Sequence, residues 1–337
     1  MQNLNGEINS ARRIAIFSHI SPDADALCSC FALKNLIRNN FDAKIVDVFN
    51  DGPIGELYSQ ILRDEVINPN KQDVYDLAFV LDCPKLDRIG KCKDIALTAK
   101  KIINIDHHET NEKFGTINIV STSNSSTCEI LYVLAKGNRF DIDNVVAKQL
   151  YQGIITDTNC FRSFATTKLT HKVVSELLAY KFDSRAIKEY YFGSNSVAKE
   201  KLLTKALTSL KFYKGDKFTT MKIPFDAFEK LGANFEDTLG IVDNGLSIKG
   251  TEASAILIET SPDNIYVSLR SKGNINVGDI AKNFGGGGSN VLAAFQAKGD
   301  IKEIEKDLYD AIEPELSQME ETDIIFWYYN NWYFISI

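Results

Sequence analysis

Asp106, His107 and His108 stand together directly behind the apolar run Lys101-Ile102-Ile103-Asn104-Ile105. Aspartate oxygens bind hard divalent cations and neutral imidazole favours borderline ones, so this triplet offers metal-binding chemistry in a short span. Upstream, His19, Asp23 and Asp25 follow the run Ile14-Ala15-Ile16-Phe17, and Asp82 ends the run Leu77-Ala78-Phe79-Val80-Leu81. Downstream, Asp157 lies in Gly153-Ile154-Ile155-Thr156-Asp157-Thr158. Three of the four histidines therefore fall in two short clusters with aspartates. Taken singly, an Asp at a strand end is a turn or cap residue, and His108 alone would be a hydrogen-bonded structural histidine. Cys28 and Cys30 read as two small buried helix residues rather than a ligand pair. The recurrence of one ligand chemistry along the chain is what calls for a metal.

The mixed Asp and His set suits Mn²⁺, with Mg²⁺, Co²⁺ or Zn²⁺ as competitors. Asp23, Asp25, Asp82 and Asp157 carry negative charge that two divalent ions would neutralise. Without metal they would repel one another and take raised pKa values. Two metals roughly 3.5–4 Å apart arm a hydroxide at neutral pH and clamp the attacking and leaving oxygens, usually in displacement at phosphorus.

The elements that position these residues follow from the apolar pattern. Residues 13–18, 43–48, 77–81 and 101–105 read as buried strands, and 25–39, 125–136 and 143–155 as helices. That alternation predicts an α/β domain with a mostly parallel sheet. In such sheets sites form just beyond the carboxyl ends of the strands, where His19, Asp23, Asp25, Asp82 and the Asp106 triplet all fall. Residues 168–210 read as mainly helical. Beyond Phe212 the pattern predicts strands over 218–222, 253–259 and 264–270, a glycine turn at 285–288 and an acidic helix over 301–321. Asn330-Asn331 within the aromatic tail suggests a terminal hairpin. The expected domains are 1–190 (metal-binding and catalytic), 191–212 (helical connector), 213–322 (a smaller α/β substrate domain) and 323–337 (the hairpin), with the active site in the cleft between the two larger ones.

With 337 residues, 44% hydrophobic and 25% charged, the chain has the make-up of a globular protein with a sizeable core. The six cysteines show no zinc-finger spacing, and Met1 to Arg13 lack the apolar segment of a signal peptide, so reduced thiols in a cytoplasm are expected. The stretch Ile324 to Ile337 is too short to span a membrane as a helix. A net charge of −7 argues against a broad basic surface for long duplex nucleic acid, but not against a small anionic substrate.

The stretch Ser18 to Ser29, Val80-Leu81-Asp82, Asp106-His107-His108 and Ile155-Thr156-Asp157-Thr158 resemble, in order, the four motifs of the DHH phosphoesterase family. Order and spacing are similar to the subgroup with a DHH-associated C-terminal domain, within it to the nanoRNase and 3′-phosphoadenosine 5′-phosphate phosphatase branch, over about residues 10–315. The resemblance implies that His19, Asp23 and Asp82 hold one metal. Asp25, Asp82, His107 and Asp157 would hold the other, with Asp82 bridging and catalytic. His108 would face the substrate phosphate, and Asp106 would orient a histidine from behind.

The second domain matches less cleanly. Where the family carries Gly-Gly-Gly-His-x-x-Ala-Ala-Gly, this chain has Gly286-Gly287-Gly288-Ser289-Asn290-Val291-Leu292-Ala293-Ala294-Phe295. Asn290 takes the histidine's place, Ser289 is an extra residue and Phe295 replaces the last glycine. Arg270 and Ser271 resemble the family's Arg-Ser pair, with Arg270 as a bidentate phosphate clamp and the backbone of Gly287 and Gly288 as an anion cradle. Phe161 and Phe164 could stack on a nucleobase, although packing on a neighbouring helix is the plainer expectation for both. The implied activity is hydrolysis of short oligoribonucleotides, linear dinucleotides or nucleoside 3′,5′-bisphosphates in an exonuclease-like manner. Alternatives are an inorganic pyrophosphatase or polyphosphatase, and a nucleotide sensor that has lost catalysis. The aromatic tail is a candidate surface for a homodimer.

Overall fold

The computed structural model describes residues 4–63 and 65–332, with side chains described as far as Met319. The chain divides into two compact units, Met1–Ser194 and Asn195–Ile337.

In the first unit the order is α1 (Leu4–Ser10), β1 (Arg13–Phe17), α2 (Ala24–Asn40), β2 (Ile45–Phe49), β3 (Leu77–Leu81), α3 (Lys93–Ala96), β4 (Lys101–Asp106), β5 (Ile117–Val120), α4 (Thr127–Asn138), α5 (Asn144–Asp157), α6 (Lys168–Leu177) and α7 (Ser184–Phe192). All pairings in the sheet are parallel and the strand order is β2-β1-β3-β4-β5. β3 is buried along its whole length, as expected for a central strand covered on both faces. One face carries Ile14, Ile16, Phe79 and Leu81 against α2, α4 and α5. The other carries Ala15, Phe17, Ala78 and Val80 against Phe49, Tyr75 and Ile89. Alternate residues of each strand thus feed two cores. β5 has no counterpart among the predicted strands. Its four residues are all half-buried at the sheet edge, so the apolar signal is weak there.

The second unit contains α8 (Val197–Thr208), β6 (Lys211–Tyr213), β7 (Phe218–Ile223), α9 (Asp226–Leu231), α10 (Ile241–Leu246), β8 (Ala253–Ser261), β9 (Asn264–Ser271), α11 (Val277–Asn283), β10 (Gly287–Gly288), β11 (Leu292–Lys298) and α12 (Ile301–Trp332). Its sheet runs β10-β11-β9-β8-β7-β6 and is mixed, with only β7 and β8 parallel.

The segment 191–212 is mostly helix α8, whose Leu202 and Ala206 are buried in a core with Met221 and Ile256. One expectation is corrected. The tail does not form a hairpin within the described residues: α12 continues to Trp332, and 333–337 lie outside them. After Pro314 the sequence holds no glycine or proline to stop a helix, and Asn330-Asn331 alone does not.

Candidate metal centre

The parallel sheet brings its carboxyl ends to one edge, and the residues there converge. His19 lies in the loop after β1. Its Nδ1 donates to the Ile20 carbonyl at 2.8 Å, which leaves Nε2 to face Asp82 Oδ2 at 3.7 Å. Asn50, just past β2, donates from Nδ2 to the His19 carbonyl at 2.8 Å and so fixes that loop from below. Asp23 is the N-cap of α2 and accepts from Ala26 N at 3.0 Å. Asp25, in the first turn of α2, is 1% exposed and accepts from Thr127 N at 2.7 Å and Cys128 N at 3.0 Å. Those donors are the otherwise unpaired N–H groups at the start of α4, where a carboxylate is favoured. Gly153 of α5 makes this approach feasible, because a Cβ there would meet Cys128 Sγ at 2.3 Å and Asp25 Oδ1 at 2.6 Å.

Asp82 follows β3 with φ 51°, a left-handed conformation that costs a non-glycine residue roughly 1–2 kcal/mol. It is the hub of the site. Its Oδ1 accepts from Thr127 Oγ1 at 3.0 Å, and His107 Nε2 lies 3.4 Å and His108 Nδ1 3.7 Å from that same oxygen. His107 Nε2 is also 3.6 Å from Asp157 Oδ2. Asp157 ends helix α5 rather than a strand. Asp106 closes β4, is fully buried, and accepts from His107 N at 2.9 Å and from His108 Nδ1 at 2.7 Å. Asn111 secures its other oxygen at 2.6 Å.

Three groups of donors each gather within 4.8 Å: His19, Asp23 and Asp82; Asp25, His107 and Asp157; Asp82, His107 and His108. The first two are the sets implied for two ions, apart from the bridging place of Asp82 in the second. The electrostatics point the same way. Burial alone would lower His19, but pairing with Asp82 and the charges of Asp23 and Asp82 push it up to about 9. Burial likewise opposes protonation of His107, yet Asp82, Asp157 and Asp25 push it up to about 11. Burial and the charge of Asp82 push Asp25 up to about 7 and raise Asp23; burial raises Asp157 well above the carboxylate range. Asp82 is held well below that range, because His107 and His19 outweigh its burial. Buried acids raised by burial and mutual repulsion are sites where a cation replaces protons. Their oxygens and the imidazole nitrogens fit a divalent ion of the hard-to-borderline kind.

In the second unit, Arg270, Asn290 and the glycines meet through the pairing of β9, β11 and β10. The half-buried Arg270 donates from Nη1 to Ser268 Oγ at 3.2 Å and Leu269 O at 3.0 Å, with Nε 3.6 Å from Asp243 Oδ1. Ser271 differs from expectation. It is buried, its hydroxyl donates to Ile275 O at 2.6 Å and accepts from Gly273 N at 2.8 Å, so it shapes a turn rather than presenting to an anion. The glycine run is not one open turn. Gly285 and Gly286 donate back to Lys282 and Ala281 at the end of α11, and Gly287 and Gly288 pair with Ala294 and Ala293. Asn290 donates to Gly273 O at 3.0 Å, a local use of the amide expected to meet phosphate. Phe295 is a core residue stacked on Phe284 with centroids 4.5 Å apart.

A buried carboxylate ringed by imidazoles and further acids at the edge of a parallel sheet suits a metal-dependent hydrolase, and the family matches make it a phosphoesterase. The DHH family, N-terminal domain, matches residues 13–154, and the DHHA1 domain matches 215–318. The probable bifunctional oligoribonuclease and PAP phosphatase NrnA of Streptococcus mutans is 30% identical over 286 residues, covering 84% of this chain and 88% of that one. Bifunctional oligoribonuclease and PAP phosphatase NrnA of Bacillus subtilis is 28% identical over 283 residues, covering 82% and 86%. Among solved structures, an exopolyphosphatase-related protein from Bacteroides fragilis superposes with a TM-score of 0.86 at 26% identity, covering 94% of this chain and 96% of that one. The chain belongs to the DHH family of phosphoesterases, with a DHHA1 domain after the catalytic one.

Thr127, Asn50 and Asn111 are site residues that sequence reasoning missed. Thr127 had a local signal: Ser126 caps α4 by accepting from Glu129 N, which marks the helix start that aims N–H groups at Asp25.

Proposed function

We propose that this protein removes phosphate groups or terminal nucleotides from short single-stranded substrates: oligoribonucleotides of a few residues, linear dinucleotides and 3′-phosphoadenosine 5′-phosphate. The observation that carries the reading is Asp82, one buried carboxylate with three imidazole nitrogens 3.4–3.7 Å away: His19 at Oδ2, and His107 and His108 at Oδ1, where Thr127 also donates. Two relatives named for both activities, each matched over more than four-fifths of its length, support the substrate class.

His19, Asp23 and Asp82 would hold one divalent ion, and Asp25, Asp82, His107 and Asp157 the other, with Mn²⁺ the best match to the donor set. Such a pair supplies Lewis acidity and a nucleophilic water at neutral pH. The chain's own part is positioning and charge. Asp106 holds the His108 proton on Nδ1 and keeps the ring turned so that Nε2 is left for a phosphoryl oxygen. The proton affinity of His108, which burial opposes and Asp106 and Asp82 raise, lets it donate there as charge builds in the transition state. Arg270 would hold a second phosphate of the substrate. Six cysteines without a disulfide among the described residues support a reducing, cytoplasmic setting. A homodimer through the aromatic tail belongs to the same reading, and the side chains concerned lie outside those described.

A panel of di- to pentaribonucleotides, 3′-phosphoadenosine 5′-phosphate, cyclic dinucleotides and pyrophosphate, each with Mn²⁺ and with chelator, tests this. Turnover of the first two classes, lost with chelator and in Asp82→Ala, is the expected result. Turnover that persists in Asp82→Ala would sink it. The likeness to an exopolyphosphatase-related structure favours a second reading, in which inorganic polyphosphate is the faster substrate.

A further inference from the structure

Immediately after Asp157 the backbone does something it does nowhere else among the described residues. Asn159, Cys160 and Phe161 are three consecutive non-glycine residues in the left-handed region, with φ 47°, 54° and 68°. L-residues enter that region singly and at a cost, so a run of three persists only where its surroundings fix it. Here they do: Cys160 N donates to Ile155 O at 2.7 Å, and Arg162 N and Ser163 N both donate to Thr158 O at 2.9 Å. The chain reverses, and the Arg162–Phe164 segment is held against the residue that follows Asp157.

The turn sorts its side chains. Phe161 goes inward, against the first unit's core and His171, with ring centroids 5.3 Å apart. Phe164 goes outward and is 77% exposed, more than any other large hydrophobic side chain among the described residues. Arg162 is exposed, and no carboxylate among the described residues pairs with it. Thr166 Oγ1, two residues beyond Phe164, is the one buried side-chain polar atom of the described residues without a hydrogen-bond partner. A lone exposed phenylalanine needs no explanation. A ring and an unpaired guanidinium, both held by a costly turn that starts two residues after the candidate metal ligand Asp157, do.

We propose that the Arg162–Phe164 segment is a nucleotide-recognition edge: the Phe164 ring stacks on a base of a single-stranded substrate, and the Arg162 guanidinium takes a phosphate adjoining the scissile one. Bases stack on aromatic rings without regard to sequence, and the planar fork of arginine matches phosphate oxygens. This sets specificity for nucleotides over inorganic phosphates at the catalytic unit itself.

The inference rests on the phosphoesterase reading, and one experiment separates the two. Phe164→Trp is titrated with a diribonucleotide, and with the same molecule lacking its bases, in the presence of chelator so that nothing turns over. Emission quenched by the intact dinucleotide, beyond that of the wild type with its native tryptophans, is expected; the abasic molecule leaves it unquenched. In Mn²⁺, Phe164→Ala and Arg162→Ala each raise KM for the dinucleotide roughly tenfold or more, and the Phe164→Ala penalty shrinks severalfold on the abasic substrate. Equal quenching by both molecules, or unchanged KM in both alanine variants, overturns the proposal. So does a change of oligomeric state in Phe164→Ala without a change in KM, which would make the ring a protein contact. A wild type that turns over no nucleotide defeats the functional reading, while the fluorescence titration still decides this one.

Discussion

Thr127 Oγ1 donates to Asp82 Oδ1 at 3.0 Å, so a hydroxyl at the first turn of α4 fixes the central acid of a site built mainly from other elements. Thr127 is fully buried, and Thr127→Val keeps its shape and its backbone bond to Asp25 while deleting the donor. A hydrogen bond to a charged group contributes about 1.5–3 kcal/mol, so the variant is expected to bind a divalent ion, probed as Mn²⁺, about 10- to 100-fold more weakly. Titration of activity with Mn²⁺ and calorimetry on the metal read this directly. Thr127→Ser recovers most of the loss.

Asp106 acts through other residues. Its Oδ1 receives both the His107 backbone N–H and the His108 ring. Asp106→Ala frees the His108 ring and removes the shortest of the three bonds of the Asn111 amide, which keeps Asn104 Oδ1 and the Cys83 carbonyl. Loss of such a supporting group typically costs about 10- to 100-fold. The fall appears in kcat with KM little changed, and the melting temperature drops as well. A loss confined to KM would place Asp106 outside the catalytic array.

The sequence disclosed the acids and imidazoles because metal ligands are diagnostic by type, and disclosed β1 to β4 because buried parallel strands are continuous apolar runs. Thr127, Asn50 and Asn111 escaped because their partners are set by the fold. Thr127 lies 45 residues from Asp82, and Asn50 lies 31 from His19. The Ser126 cap marks where α4 starts, but nothing local to Thr127 or Asn50 names the distant partner. β10 and β11 escaped for another reason: a glycine run and two alanines match a binding motif as readily as a hairpin, and only the pairing of Gly287 with Ala294 tells them apart. The tail misled because Asn-Asn permits a tight turn without requiring one.

The metal-free site makes stability depend on pH. His19 at about 9 and His107 at about 11 lie above their unfolded value of about 6.5, so their contribution is fully present below that pH and is lost as pH rises through 9 and then 11. Asp25, at about 7 against an unfolded value near 3.8, loses its contribution as pH rises between those values. The chelated protein therefore loses stability steadily from about pH 4 to pH 9. Divalent ions bind the deprotonated ligands of the folded state alone and gain as protons leave. The rise in melting temperature between chelator and Mn²⁺ is larger at pH 8.5 than at pH 6. An equal or smaller rise at pH 8.5 would mean the ion binds elsewhere.

Arg270 is already oriented. Its Nη1 bonds to Ser268 Oγ and Leu269 O, and Asp243 lies beside Nε, so the guanidinium carries its own framework before substrate arrives. If it clamps a phosphate, Arg270→Ala removes a charge-assisted bond of about 1.5–3 kcal/mol, which raises KM for a diribonucleotide about tenfold or more. A small artificial phosphodiester, which has no second phosphate, suffers far less. Equal losses on both substrates would make Arg270 structural.

Phe295 tests whether a departure from a family motif is chemistry or packing. The ring is 3% exposed and lies parallel to Phe284, with planes 12° apart. Beneath it, Gly286 leaves no room for a side chain, since a Cβ would come 2.4 Å from Phe295 Cβ and 2.2 Å from Ala294 O. The two positions are therefore coupled: the glycine admits the ring, and the ring fills the space under α11. Phe295→Ala should cost roughly 3–5 kcal/mol of stability, the usual range for a buried phenylalanine. Chemical denaturation reads that loss, and kcat at 20 °C or below stays close to the parent because no atom of Phe295 needs to meet substrate. A variant as stable as the parent but with altered KM would instead put this position in the binding surface.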